Sequence, residues 1–101
     1  MLYKNDILKY LTDNKDYFKD KFYVDKIGLA GSFARGDFNN DSDIDLVVYF
    51  LPEAVNHRIF RLYINLQETI SNYFNKKVDI IANGKVLPAF KEIIEKETIY
   101  V

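Results

Sequence analysis

Residues 31–46 read GSFARGDFNNDSDIDL. Gly31 closes an apolar run and lets the backbone turn sharply and approach a ligand with no Cβ in the way. Ser32 adds a hydroxyl, and Phe33-Ala34-Arg35 can open a short helix whose free N–H groups aim at an anion, which together make a phosphate cradle. Arg35 stands about one turn further on, where a guanidinium clamps a phosphate oxygen in the two-pronged geometry that lysine lacks. Beyond the polar NNDS segment, Asp43 and Asp45 begin the clearest strand of the chain, DIDLVVYF over 43–50, rich in β-branched and aromatic residues and ended before Pro52. Side chains two apart leave a strand on one face, about 6–7 Å from each other. Ile44, Leu46 and Val48 take the opposite face into the core, so the alternation itself turns the two carboxylates outward, where they repel unless a cation sits between them.

Working outward, Val24, Ile27 and Leu29 mark a strand over 23–30 that stops at Gly31-Ser32. Before it, Ile7, Tyr10, Leu11, Tyr17 and Phe18 fall mostly at three-, four- and seven-residue intervals and predict an amphipathic helix over roughly 4–20. After the 43–50 strand, Ile59, Leu62, Tyr63, Leu66, Ile70 and Tyr73 share one face of a helix expected over about 53–74. KVDIIA, over 77–82, is a short strand ended by an Asn83-Gly84 turn, and Phe90, Ile93 and Ile94 lie on one side of a short helix over 88–96. The order α-β-turn-β-α-β-α belongs to the α/β (α+β) class: a small mixed β-sheet with helices packed on one face, the other face partly open to a ligand or partner.

Composition sets the limits within which this site works. The 101 residues form a single domain, 1–101, with 49% hydrophobic residues, no repeat, no low-complexity tract and no linker. With no cysteine and one histidine, His57, there is neither a disulfide framework nor the usual His/Cys set for zinc, so the available chemistry is that of oxygen ligands. Lys+Arg 14 against Asp+Glu 15 leaves no basic excess to coat a nucleic acid, and strong nucleic-acid binding is not expected. No window approaches the length of a membrane span and the charged N-terminus lacks a signal peptide's apolar stretch, so a soluble cytoplasmic protein is expected.

Asp79 is a third anomaly, a carboxylate inside the apolar run Val78-Asp79-Ile80-Ile81, costly unless paired, coordinated or at the sheet surface. If its strand lies beside that of Asp43 and Asp45, three carboxylates converge. Such a set with no nitrogen or sulfur ligand favours a hard octahedral cation, Mg²⁺ or Mn²⁺. Next to a phosphate cradle, the implied ligand is a nucleoside triphosphate with one or two metals bridging its phosphates.

Gly31-Ser32, ten residues, then Asp43-x-Asp45, with Asp79 on a later strand, resembles the nucleotidyltransferase superfamily that includes DNA polymerase β. The length and the GSFARG…SDIDL wording are most similar to its minimal nucleotidyltransferases, the small antitoxin partners of HEPN-domain toxins. The motif covers about sixteen residues, and the element order extends the likeness to nearly the whole chain. The resemblance implies that Asp43 and Asp45 hold the metal ions, that Asp79 binds the catalytic metal and helps activate the attacking hydroxyl, that Gly31 and Ser32 hold the triphosphate, and that Arg35 contacts phosphate. It further implies attack of an acceptor oxygen on the α-phosphorus of ATP with pyrophosphate leaving, the acceptor being a tyrosine of a HEPN toxin that adenylylation silences.

Plainer readings stand beside these. Asp43 and Asp45 can simply flank a turn, Asp79 can be edge-strand protection, and Ser42 is explained as well by turn chemistry as by nucleotide contact. His57, Arg58 and Arg61, at i, i+1 and i+4 of the expected long helix, read as a solvated face. For function, the alternatives are an antitoxin that neutralises its partner by binding alone, and nucleotidyl transfer to a small molecule such as an aminoglycoside. The second lacks the extra domain that would build an acceptor pocket.

Overall fold

The alternation over residues 43–50 carries through to three dimensions in a computed structural model, which describes residues 1–82 and 88–101. Ile44, Leu46 and Val48 are fully buried on one side of strand β2 (Ile44–Phe50), while Asp45 and Tyr49 point to the other side and remain half-exposed. Strand β1 (Val24–Ala30) runs antiparallel to β2 and sets Ile27 and Leu29 beside Val48 and Leu46. Strand β3 (Val78–Ala82) lies parallel to β2 on its other side, and a two-residue strand β4 (Ile99–Tyr100) closes the far edge, giving the order β3-β2-β1-β4. The sheet is mixed, as the element order requires: the parallel pair is joined by a long crossover and the antiparallel pair by a short one.

Helices α1 (Lys4–Asp13), α2 (Lys15–Phe22) and α4 (Ile59–Phe74) cover the apolar side. Ile7, Leu11, Phe18, Phe22, Leu62, Leu66 and Ile70 meet the sheet there, and no described polar or charged side chain is buried with them. Burial of these apolar groups is what holds the layers together. A further link runs along the sheet edge. Tyr63 Oη donates to the Ile80 carbonyl at 3.0 Å and Gln67 Nε2 to the Val78 carbonyl at 2.6 Å, so α4 caps the carbonyls that edge strand β3 would otherwise present to solvent.

The helix expected over 4–20 is two helices. Asn14 breaks it: its backbone leaves the helical region at φ −108, ψ 7, and its side-chain Nδ2 donates to the Tyr10 carbonyl at 2.8 Å, a local bond that competes with helix continuation. The helix expected over 53–74 is a 3₁₀ helix (Pro52–His57) followed by α4, separated by Arg58 at φ 58. His57 is therefore not on the long helix face; its ring stacks on Tyr23, centroids 4.6 Å apart. Tyr73 leaves the buried stripe of α4 and is exposed, stacked on Tyr10 at 4.1 Å.

The last helix, α5 (Pro88–Glu97), lies on the side of the sheet that carries the aspartates: Ile94 and Glu97 line a cleft with Ala30, Asp45 and Ile81, and Tyr49 Oη donates to Glu95 at 3.5 Å. Ile93, expected beside Ile94, points outward. The Asn83-Gly84 turn and the Phe90 side chain lie outside the described residues. Among the described residues, no helix is long and apolar enough to cross a membrane.

Candidate active site

Strand register brings the singled-out residues together. In the ladder of β1, β2 and β3, Asp45 has Ala30 of β1 on one side and Asp79 of β3 on the other. Asp43 lies just before β2, two residues from Asp45 and so on the same face. Asp79 is on an edge strand, as the plainer reading had it, and it also faces the acidic pair.

Gly31 follows Ala30 directly and begins the short helix α3 (Gly31–Arg35). Its φ is +66, in the left-handed region that a residue with a Cβ enters only at a cost. Space excludes a side chain as well, since a Cβ placed there would run into the Asp45 carboxylate, with Asp45 Cγ 3.0 Å away. The turn and the central carboxylate are thus packed against each other. Phe33 and Ala34 bury their side chains under α3, which leaves Ser32 and Arg35 toward the surface, and Gly36 at φ +93 ends the helix.

Arg35 lines the same cleft, of about 210 Å³, as Gly31 and Asp45. Its Nε lies 3.3 Å from Asp37 Oδ2 and its Nη1 3.5 Å from Glu97 Oε2. Both contacts, Asp37 first, hold the guanidinium above its ordinary pKa. Asp37 is thus committed to Arg35, and the Asp41 N–H to the Asn39 side chain at 2.8 Å. Ser42 Oγ accepts from the Asn39 N–H at 2.9 Å, so Ser42 builds the turn.

Electrostatics single out Asp45. Burial raises its carboxyl above the usual 3.8, and the charges of Asp79 and then Asp43 raise it further, while Arg35 and Lys77 pull it down. Asp43 and Asp79, at 43% and 48% exposed, remain open to solvent. The three carboxylates feel each other without forming a closed cage: among the described residues, no group of three His, Cys, Asp or Glu side chains stands gathered as a ligand shell. An all-carboxylate set, mutually repulsive and reached from solvent, suits a hard, oxygen-seeking cation that keeps part of its own water.

Lys77 and Glu97 were not singled out from the sequence. Lys77 precedes Asp79 by two and shares its face by the same alternation that pairs Asp43 with Asp45, a signal present in KVD. Glu97 reaches Arg35 across 62 positions, and no local pattern announces it. A larger cleft of about 510 Å³, between Tyr10, Asp13, Tyr73 and Phe74, lies apart from the carboxylates.

Residues 11–101 match the family described as a nucleotidyltransferase domain. The chain is 37% identical, over 98 residues covering 96% of each chain, to a Methanocaldococcus jannaschii protein provisionally named a protein adenylyltransferase. It is 28% identical over 103 residues to the protein adenylyltransferase MntA of Thermococcus cleftensis, covering 100% of this chain and 98% of that one. Its fold matches a solved toxin–antitoxin structure with AMP-PNP at TM-score 0.62 and 21% identity, over 98% of this chain and 72% of that one.

Proposed function

The chain belongs to the nucleotidyltransferase domain family, and from that premise we propose that it is a Mg²⁺-dependent protein adenylyltransferase that moves AMP from ATP to a tyrosine hydroxyl of a partner HEPN-family toxin in the cytoplasm, and so acts as its antitoxin. The observation that carries this reading is the position of Asp45, wedged against the Gly31 turn on one side and opposite Asp79 on the other. One residue thereby joins a phosphate-binding turn to a carboxylate set. Two likenesses add to it: the relatives' names as protein adenylyltransferases, and a toxin–antitoxin structure of the same fold that holds a nucleotide analogue.

Asp43, Asp45 and Asp79 would hold Mg²⁺, or Mn²⁺, which when bound neutralises the charge that builds on the phosphates during transfer. Gly31 and Ser32 offer backbone N–H groups and a hydroxyl to the triphosphate, and Arg35 offers its guanidinium. The tyrosine oxygen bonds to the α-phosphorus as the bond to the β-phosphate's bridging oxygen breaks. The products are adenylylated tyrosine and pyrophosphate, and in this reading Asp79 takes the phenolic proton.

The test is to incubate the chain with ATP, Mg²⁺ and the protein encoded and purified with it, and to look by mass spectrometry for a nucleotidyl group on a partner tyrosine. Asp43→Asn and Asp79→Asn should abolish the transfer with the fold intact by circular dichroism, because each side chain is half-exposed and its ion pair with Lys77 is long and open to solvent. Absence of the modification with a native partner, across several metals and nucleotides, overturns the enzymatic reading for this partner. If Asp43→Asn neutralises the partner as well as the wild type does, neutralisation is by binding.

A further inference from the structure

Lys77 has no part in the roles described so far. Its carbonyl accepts the Ile44 N–H at 3.0 Å, which fixes its backbone beside the start of β2, and from there Nζ stands 3.8 Å from Asp43 Oδ2 and 3.9 Å from Asp79 Oδ1. The ammonium thus spans two of the three carboxylates, on the face where they crowd. Neighbouring cations are engaged elsewhere: Arg35 with Asp37 and Glu97, and Lys76 with the Asn40 carbonyl at 2.8 Å. Lys77 itself is 69% exposed on a flexible stem, so its contacts offset carboxylate repulsion but yield readily to a stronger cation.

We propose that Lys77 is the built-in counter-ion of the carboxylate trio: its ammonium neutralises Asp43 and Asp79, must move aside when a divalent cation enters, and so sets the affinity with which the site takes that cation. The inference rests on the reading of Asp43, Asp45 and Asp79 as a cation site. It makes Lys77 a positioning residue whose effect is electrostatic and is carried by charge, not by shape. An arginine therefore substitutes for it and an isosteric neutral side chain does not.

The experiment titrates Mn²⁺ into the full chain, stripped with chelator, and reads free Mn²⁺ by electron paramagnetic resonance for the wild type, Lys77→Met, Lys77→Arg and Asp43→Asn. Lys77→Met is expected to bind Mn²⁺ about fivefold tighter at low ionic strength, the scale of one unit charge removed from about 4 Å in a solvated site. The gap should close as salt is raised, and Lys77→Arg should match the wild type. In chelator, Lys77→Met should melt below the wild type and gain more in melting temperature from added Mn²⁺. Equal or weaker Mn²⁺ binding by Lys77→Met, with the wild type binding, overturns the role of Lys77 and leaves the cation site standing. No binding by any variant, or undiminished binding by Asp43→Asn, overturns the cation-site reading itself. Circular dichroism checks the fold, and Lys77→Gln replaces Lys77→Met if the latter does not fold.

Discussion

Asp45 and Asp79 occupy opposed positions in the parallel register of β2 and β3, on strands spaced about 4.8 Å apart. Two carboxylates so placed repel, and the pairing persists because the residues alternating with them, Ile44, Leu46, Val78 and Ile80, are buried on the other face. The core thus holds together a charge cluster that would separate by itself.

Gly31→Ala should destabilise the protein by at least about 1–2 kcal/mol, the cost of a left-handed backbone for a residue with a Cβ. The new methyl also displaces the Asp45 carboxylate, so nucleotidyl transfer should fall by more than stability explains. Urea unfolding and the transfer assay, run on the same samples, check both.

Asp45→Asn should stabilise the chain in chelator at neutral pH while abolishing transfer. The carboxyl titrates above 3.8 when folded because burial and its acidic neighbours disfavour the charge, so the folded state holds the proton more tightly than the unfolded one. Stability is therefore lost as pH rises from the ordinary carboxylate value through the raised one. The melting temperature of the variant minus that of the wild type should grow over that window and then level off. A difference independent of pH contradicts the assignment.

Tyr63→Phe removes the hydrogen bond to the Ile80 carbonyl and should cost about 1 kcal/mol in unfolding free energy. Because that bond latches the strand that carries Asp79, hydrogen exchange should rise along β3 before it rises along β1.

Arg35→Ala should leave the melting temperature nearly unchanged, since its ion pairs with Asp37 and Glu97 are exposed. Nucleotide affinity should drop about tenfold through loss of charged hydrogen bonds to phosphate, while Mn²⁺ binding does not weaken, since the lost cation lay beside Asp45. Isothermal titration with a non-hydrolysable ATP analogue and with Mn²⁺ separates the two.

Much of this site was legible because its signals are local. Period-two alternation put Asp43 and Asp45 on one face and Ile44, Leu46 and Val48 on the other, and the Gly31-Ser32 turn stood at the end of an apolar run. Helix breaks were less legible. At Asn14 the amide competes for the Tyr10 carbonyl, and at Arg58 a residue without special turn chemistry takes a left-handed conformation, so apolar periodicity carried both helices too far. Strand β4 escaped because two residues, Ile99 and Tyr100, have no periodicity to read; they pair with β1 opposite Leu29 and Gly28.

By itself the sequence determined the mixed αβ class, the outward pair Asp43 and Asp45, and the glycine turn, since each follows from spacing and side-chain type along a few consecutive residues. Tertiary structure alone decided that Asp79 stands opposite Asp45, that Lys77 bridges Asp43 and Asp79, and that α5 carries Glu97 to Arg35. Those relations depend on strand order and register, which are set by how the apolar faces of α1, α2 and α4 close over the sheet and not by any local pattern.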